Sequence, residues 1–216
     1  MPFSSVFCTN QQTRFYVIYT GERNRRSITL VVFVLIVTSN CFSQDYSYIN
    51  YDTRDGLAGS LVYDAIQDQE GFMWFATENG LSRFDGKNFK TFTTKDGLPD
   101  NEILKLFVDS KGRLWIMPFK PSLCYYFKGK IYNKTNDSLL SKIFLRTYAF
   151  DMAEDKTGNL YIAEETRWHT IFTDNTVRTI DSFGKVRMMI NALGVDKNRE
   201  VEVLAETWIN DRHQYA

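Results

Sequence analysis

The sequence predicts an all-β protein in which short antiparallel strands build a series of similar four-stranded units. Three observations support this prediction: an internal repeat, strand-like patterning within each repeat, and turn-forming residues between the patterned stretches. No stretch of the repeat region has the periodicity of an amphipathic helix.

The repeat is marked by an aspartate, a glycine three residues later and an aromatic residue six residues after the aspartate. Shifts of 41 and then 46 residues relate three copies of this pattern: Asp68, Gly71 and Trp74; Asp109, Gly112 and Trp115; Asp155, Gly158 and Tyr161. A degraded fourth copy begins at Asp196, with Glu202 at the aromatic position. A second motif, Asp55-Gly56-Leu57, returns after 41 residues as Asp96-Gly97-Leu98.

The first copy contains four predicted strands separated by turns. Asp68–Gly71, Asn79-Gly80 and Asp85-Gly86 have turn chemistry, because Asp and Asn accept backbone hydrogen bonds and Gly tolerates a positive φ. The strands predicted around these turns are Leu61–Ile66, Phe72–Thr77, Leu81–Phe84 and Phe89–Phe92. Four short antiparallel strands in about 40 residues are typical of one blade of a β-propeller.

The repeat frame divides residues 44–216 into blades at about 57–96, 98–140 and 141–185, with a partial blade at 186–216. The partial blade has room for two strands. Closed propellers have about 4–8 blades. The sequence therefore predicts an incomplete propeller fragment of about three and a half blades, the amino-terminal piece of a longer protein.

Residues 1–43 are predicted to be a presequence with a signal peptide. Three arginines precede an apolar core at 28–37, which is shorter than the roughly 20 residues that a membrane-spanning helix needs. Cleavage is predicted near Ser43–Gln44. An uncleaved anchor or lipoprotein cleavage before Cys41 is the less favoured alternative. The mature chain is expected to be exported and periplasmic.

Composition argues against several function classes. The 26 basic and 26 acidic residues cancel and no long run has one sign, so a nucleic-acid partner is not expected. Cys124 is the single cysteine after the presequence, and His169 and His213 are the only histidines, which leaves few ligands for a metal. We expect no metal, no cofactor and no internal disulfide.

The recurring aromatic residues could belong either to the hydrophobic core or to a ligand-binding site. Trp74, Trp115 and Tyr161 are expected to pack between neighbouring blades rather than to form a platform for a ligand. A structural group is needed in every blade, whereas a catalytic group is needed once. For the same reason, the recurring Asp and Gly residues are interpreted as turn chemistry.

The first copy resembles a two-component regulator propeller repeat. The matching residues are Asp55-Gly56-Leu57, Val62, Ile66, Asp68, Gly71, Met73-Trp74-Phe75, Thr77, Gly80-Leu81 and Arg83-Phe84-Asp85-Gly86. The second copy keeps about half of this pattern and the third copy keeps less.

The resemblance implies the periplasmic sensor region of a bacterial two-component histidine kinase, sometimes a hybrid one, that starts a phosphorelay. Such a region implies a small-molecule or glycan ligand, and contacts with neighbouring blades or with a second subunit. The membrane would be reached through a helix downstream of this sequence, and the kinase would follow it. No catalytic residue is expected within this chain.

The ligand is expected to bind where loops of several blades converge, although no binding residue can be assigned from the sequence. Candidate loops are Glu78–Asn79 and Met117–Pro121, and the second departs from the repeat because prolines replace its threonine and glycine turn. His169 falls in a strand of the third blade and is interpreted as a strand residue rather than a ligand contact.

Two alternatives remain open: an enzyme acting on glycans, as a hydrolase or a lyase, and a cell-surface scaffold that binds proteins. Glycoside hydrolysis requires two carboxylates facing one bond, and the candidates are Glu78, Glu164, Glu165 and Asp174. Glu164 and Glu165 are expected to be adjacent on a strand and therefore to point to opposite faces.

Overall fold

The computed structural model describes the backbone of residues 49–181, 187–209 and 212–215. The predicted presequence, 1–43, lies outside these residues. In the described part, the chain forms short antiparallel strands and three brief 3-10 helices. No helix among these residues has the length and apolar character needed to cross a bilayer.

Three four-stranded sheets follow one another along the chain, each with its strands in sequential antiparallel order. Blade one consists of β1 (Val62–Gln67), β2 (Met73–Thr77), β3 (Gly80–Phe84) and β4 (Phe89–Phe92). Blade two consists of β5 (Ile103–Val108), β6 (Leu114–Pro118), β7 (Cys124–Phe127) and β8 (Lys130–Asn133). Blade three consists of β9 (Asp151–Glu154), β10 (Leu160–Ala163), β11 (Trp168–Ile171) and β12 (Val177–Ile180).

The fourth sheet differs from its prediction. It has three strands rather than two: β13 (Arg187–Val195), β14 (Val201–Ile209) and β15 (Arg212–Tyr215). The residues of β15 do not match the repeat pattern, yet Glu206 to Ile209 of β14 pair with them antiparallel. Strands pair through backbone hydrogen bonds and do not require particular side chains. The repeat pattern therefore did not predict β15.

The recurring Asp and Trp act together. Oδ1 of Asp68 accepts hydrogen bonds from the backbone N–H groups of Glu70 and Phe72, both at 2.9 Å, which closes the turn between β1 and β2. Its Oδ2 accepts a 2.6 Å hydrogen bond from the indole Nε1 of Trp74. Gly71 has the positive φ, 91°, that this turn requires.

The same arrangement recurs in blades two and three. Oδ2 of Asp109 accepts from Nε1 of Trp115 at 2.8 Å, and Tyr161 donates its hydroxyl to Oδ2 of Asp155 at 3.3 Å. Burial raises the pKa of Asp155, but hydrogen bonds from Thr157 and Asn159 outweigh burial and lower the pKa to about 2. The aspartate and the aromatic residue are six positions apart in each copy because a hydrogen bond joins their side chains across the turn.

The aromatic residues of the repeat pack between blades, as predicted. Trp74 is fully buried in a cluster with residues of blade two, and Trp115 is fully buried with residues of blade three. Tyr161 is partly buried against the cluster that joins blades three and four. The rings of Trp74 and Trp115 are therefore not available as a ligand platform, whereas Tyr161 is partly exposed.

Each blade presents two ends. One end carries the β1–β2 and β3–β4 turns and their equivalents. The other end carries the turns between the second and third strands, together with the connections from one blade to the next. We call the second end the connection face, and the candidate site lies on it.

Candidate functional site

A glutamate clamp holds the connection into blade one. Glu78 lies in the β2–β3 turn, and its two carboxylate oxygens accept hydrogen bonds from the backbone N–H groups of Ser60 and Leu61, each at 3.0 Å. The clamp ties the turn to the chain segment that enters the blade. The predicted binding loop Glu78–Asn79 therefore has a structural role.

Blade three has a similar clamp, one residue earlier in the repeat than Glu78. Oε2 of Glu164 accepts from the backbone N–H groups of Arg146 and Thr147, both at 2.7 Å. The expectation that Glu164 and Glu165 share a strand is wrong. Strand β10 ends at Ala163, and both glutamates lie in the turn that follows, where the chain no longer alternates between faces.

Glu164 is also the centre of a buried polar network. Its Oε1 accepts from Nε of Arg167 at 2.6 Å and lies 2.6 Å from Nε2 of His169. Nδ1 of His169 lies 2.8 Å from the hydroxyl of Thr179. Burial raises the pKa of Glu164, but these side-chain hydrogen bonds and those from the backbone outweigh burial and lower that pKa to about 2. His169 is a strand residue inside this network, as predicted.

Blade two lacks the clamp. Phe119 occupies the position of the clamping glutamate, one repeat of 41 residues after Glu78. The N–H groups that a glutamate would hold belong to Asn101 and Glu102, and Oδ1 of Asp100 accepts from them at 2.7 and 3.3 Å instead. Phe119 makes no such clamp, and the residue is 52% exposed.

The loop that carries Phe119 is shorter than predicted. Met117 and Pro118 belong to β6, where Pro118 pairs with Ile103 at the end of the strand, a position that proline tolerates. Residues 119–123 form the loop proper. Lys120 donates its backbone N–H to the carbonyl of Pro118 at 2.7 Å, and Ser122 donates to that of Lys120 at 2.6 Å. These hydrogen bonds hold the backbone of the loop in tight turns.

Phe119 pairs with a second exposed ring. Tyr148, on the connection between blades two and three, lies with its ring centroid 4.9 Å from that of Phe119 at an interplanar angle of 43°. Tyr148 is 38% exposed. The neighbouring Thr147 is held by the blade-three clamp, so Glu164 fixes the segment that presents Tyr148.

This aromatic pair forms one wall of a cavity of about 540 Å³ on the connection face. The size falls within the roughly 300–1,000 Å³ of small-molecule sites. Parts of three blades contribute to its lining, which consists of Phe119, Lys120, Pro121, Thr147, Tyr148, Phe150, Glu165, Met189, Ile190 and Asn191. Loops of several blades converge here, and the predicted loop around Pro121 is one of them.

The chemistry of the cavity suits recognition. Phe119 and Tyr148 offer apolar ring faces, while Lys120, Glu165 and Asn191 offer one cation, one anion and one amide at its edge. Among the described lining residues, Glu165 is the single carboxylate, so the pair of facing carboxylates that glycoside hydrolysis needs does not occur there.

The other carboxylates proposed for catalysis hold backbone segments. Glu78 and Glu164 clamp connections, and Asp174 accepts from the backbone N–H and hydroxyl of Thr176 at 2.8 and 2.7 Å. Across the described ranges, no group of three or more His, Cys, Asp and Glu side chains is arranged to bind a metal. Cys124 is buried, which raises the pKa of its thiol.

Tyr148 is the residue that sequence reasoning missed. It matches no position of the repeat pattern and lies in the connection from Asn133 to Asp151. The available signal was the shift of 46 rather than 41 residues between the second and third copies, which places extra residues in this connection.

Comparison with known proteins identifies the repeats. The family model described as "two component regulator propeller" matches residues 56–79 and 97–117. A histidine kinase from Formosa agariphila, named P4, is 31% identical over 71 residues, which make up 32% of this chain and 5% of that protein.

Two crystal structures from B. thetaiotaomicron share the fold. One is described as the extracellular domain of a hybrid two component system, BT3049, and has a TM-score of 0.58 at 20% identity over 74% of this chain. The other, described as the extracellular domain of a one component system, BT4673, has a TM-score of 0.55 at 20% identity over 72% of this chain. This chain spans 22% of each. Residues 56–79 and 97–117 thus match the two-component regulator propeller model, and they lie in consecutive β-propeller blades.

Proposed function

We propose that this chain is part of the ligand-sensing propeller of an exported, periplasmic two-component sensor, and that the sensed ligand binds in the 540 Å³ cavity of the connection face. The observation that carries the proposal is the change in blade two. Blade one holds its clamping glutamate at the repeat position of Phe119, and blade three holds one a single residue earlier, whereas blade two presents an exposed Phe119 beside Tyr148.

A small glycan or another small molecule suits this cavity. A sugar ring has an apolar face that packs on an aromatic ring, and its hydroxyl groups form hydrogen bonds at the rim. Phe119 and Tyr148 supply the rings, and Lys120, Glu165 and Asn191 supply polar groups. The sequence resemblance and the Formosa agariphila relative support signalling through a histidine kinase.

The proposed mechanism is a population shift. A ligand that contacts the blade-two loop, the connection to blade three and β13 of the fourth sheet favours one relative packing of these blades over others. In the longer protein, this shift would pass through a membrane helix to a kinase, with a second subunit as its partner. The ligand can move the equilibrium only by the difference between its affinities for the two packings.

The test is calorimetric titration of the purified chain with a panel of neutral and acidic oligosaccharides. The proposal is supported if one oligosaccharide binds and if Phe119→Ala lowers its affinity about tenfold. A tenfold loss is expected because a buried aromatic contact is worth roughly 1.5 kcal/mol. Phe144→Ala is the matched control, since Phe144 is 77% exposed and lies outside this cavity.

Two results would contradict the proposal. If the Phe119→Ala and Phe144→Ala variants bind the oligosaccharide with equal affinity, the ligand lies elsewhere. A panel member cleaved during the titration, detected by chromatography of the products, would favour the glycan-acting enzyme instead.

A further inference from the structure

A second, smaller cavity adjoins the candidate site. It has a volume of about 270 Å³ and is lined by residues that include Pro99, Lys120, Pro121, Ser122, Lys134 and Thr135. Lys120 and Pro121 line both cavities, so the two share one wall formed by the blade-two loop. A ligand in the larger cavity can therefore extend across this wall.

The charged residues of the smaller cavity have one sign. Lys120 and Lys134 are its charged residues among those described, and no carboxylate lines it. Neither lysine is in an ion pair within the described ranges, whereas Lys105 and Lys156 pair with carboxylates of neighbouring blades. The ammonium group of Lys120 donates a long hydrogen bond, 3.4 Å, to the carbonyl of Pro99.

The turn that carries Lys134 is firmly held. Asn133 donates its side-chain amide to the carbonyl of Gly97 at 2.9 Å, which ties the turn to the connection from blade one. Oδ1 of Asn133 accepts from the backbone N–H of Thr135 at 2.9 Å and from its hydroxyl at 2.6 Å. Opposite, the tight turns around Lys120 hold the blade-two loop. The concavity between the two lysines is therefore built on fixed backbone.

Two cations in one concavity attract an anion. The chain as a whole has no net charge, with 26 basic and 26 acidic residues, so this local excess is a property of the cavity rather than of the surface. Ammonium groups form charge-assisted hydrogen bonds with carboxylate or sulfate oxygens, and the half-buried hydroxyl of Ser122 adds a neutral donor.

We propose that the ligand is an acidic saccharide whose ring packs against Phe119 and Tyr148 and whose carboxylate or sulfate group lies between Lys120 and Lys134. The proposal rests on the proposed function, since it names the ligand class of the same site. A carboxylate and a sulfate group would both form charge-assisted hydrogen bonds with the lysines, and the experiment below distinguishes the two.

The experiment uses pairs of oligosaccharides that differ only in charge. A uronate oligosaccharide is compared with its carboxyl-reduced form, and a sulfated oligosaccharide with its desulfated form, each titrated into the full chain by calorimetry. We expect one acidic member to bind more tightly than its neutral counterpart, with an affinity that falls between 50 and 500 mM salt because salt screens exposed charges.

Lysine variants locate the effect. Lys120→Gln and Lys134→Gln are each expected to weaken the acidic member about fivefold, the upper range for exposed ion pairs, and Lys134→Gln should leave its neutral counterpart unchanged. Lys87→Gln is the control with the same loss of charge, because Lys87 is exposed in the β3–β4 turn at the opposite end of blade one. Thermal unfolding of each variant confirms that it is folded.

The failure of this inference is distinguishable from failure of the proposed function. If the neutral members bind as well as the acidic ones, Phe119→Ala weakens both, and the lysine variants change nothing, the ligand site stands and the acidic class is wrong. If an acidic member binds but Lys87→Gln weakens it as much as Lys134→Gln does, the attraction is diffuse and the inference is wrong. If no member binds, both are wrong.

Discussion

The buried network around Glu164 yields the sharpest prediction about stability. Its carboxylate accepts hydrogen bonds from Arg167, the backbone N–H groups of Arg146 and Thr147, and the ring of His169. Glu164→Gln keeps the shape but removes the charge, so the guanidinium of Arg167, which is 6% exposed, loses its ionic partner. Removal of one partner of a buried ion pair costs about 3–5 kcal/mol.

The lowered pKa of Glu164 gives a second figure for the stabilisation by the same hydrogen bonds. It is about 2 in the folded chain, against 4.5 for a free glutamate. Such a difference corresponds to about 2 kcal/mol after allowance for solvent screening, and it stabilises the folded state above the unfolded pKa. The contribution is lost as pH falls from 4.5 towards 2, because the unfolded chain takes up a proton in this range and the folded carboxylate does so only near pH 2.

The assay is urea unfolding of the wild type and variant at pH 7 and at pH 3, followed by circular dichroism. We expect Glu164→Gln to lower the free energy of unfolding by about 3 kcal/mol at pH 7 and by clearly less at pH 3. Glu78→Gln is the matched control, because Glu78 makes the same backbone clamp without an Arg or His partner. Equal losses for the two variants, or a loss independent of pH, would refute the reasoning.

Two further predictions follow from the repeat. Trp115→Phe should lower the free energy of unfolding by about 2 kcal/mol, because it removes the indole hydrogen bond to the buried Asp109 and leaves a small void. Urea unfolding measures this change. A midpoint equal to that of the wild type would show that the hydrogen bond between the repeated Asp and Trp does not stabilise the blade. Gly97→Ala should cost about 1–2 kcal/mol through its φ of 108° alone, since a Cβ there meets neighbours no closer than 3.6 Å. Calorimetric melting checks the second value, and a Tm unchanged from that of the wild type would show that the backbone relaxes.

Much of the fold was predictable because its determinants are local and repeated. The predicted strand Phe89–Phe92 matches β4 at both ends, and the predicted Leu61–Ile66 differs from β1 by one residue. Asp-Gly motifs mark the turns because the aspartate binds backbone N–H groups within four residues, as Asp68 does. Such signals need no knowledge of the rest of the chain.

The site was less predictable because it depends on contacts between blades. The mismatch at Phe119 was visible in the sequence, and it singled out a loop that lines the candidate cavity. Its partner Tyr148 was not visible, because a connection of variable length carries it and only the assembled blades bring the rings to 4.9 Å. The two glutamates after β10 were predicted to lie on a strand because nothing in the sequence marks the end of β10.

The change in blade two is informative because the fold compensates for it. Loss of a clamping glutamate would leave two backbone N–H groups without an acceptor, and Asp100 supplies that acceptor from within the same segment. Stability therefore gives no reason for an aromatic residue at position 119, and an exposed Phe119 gains little from burial. An exposed apolar ring beside a second ring and a cavity of 540 Å³ is the kind of surface that marks interaction sites, and it is therefore the main support for the proposed ligand site.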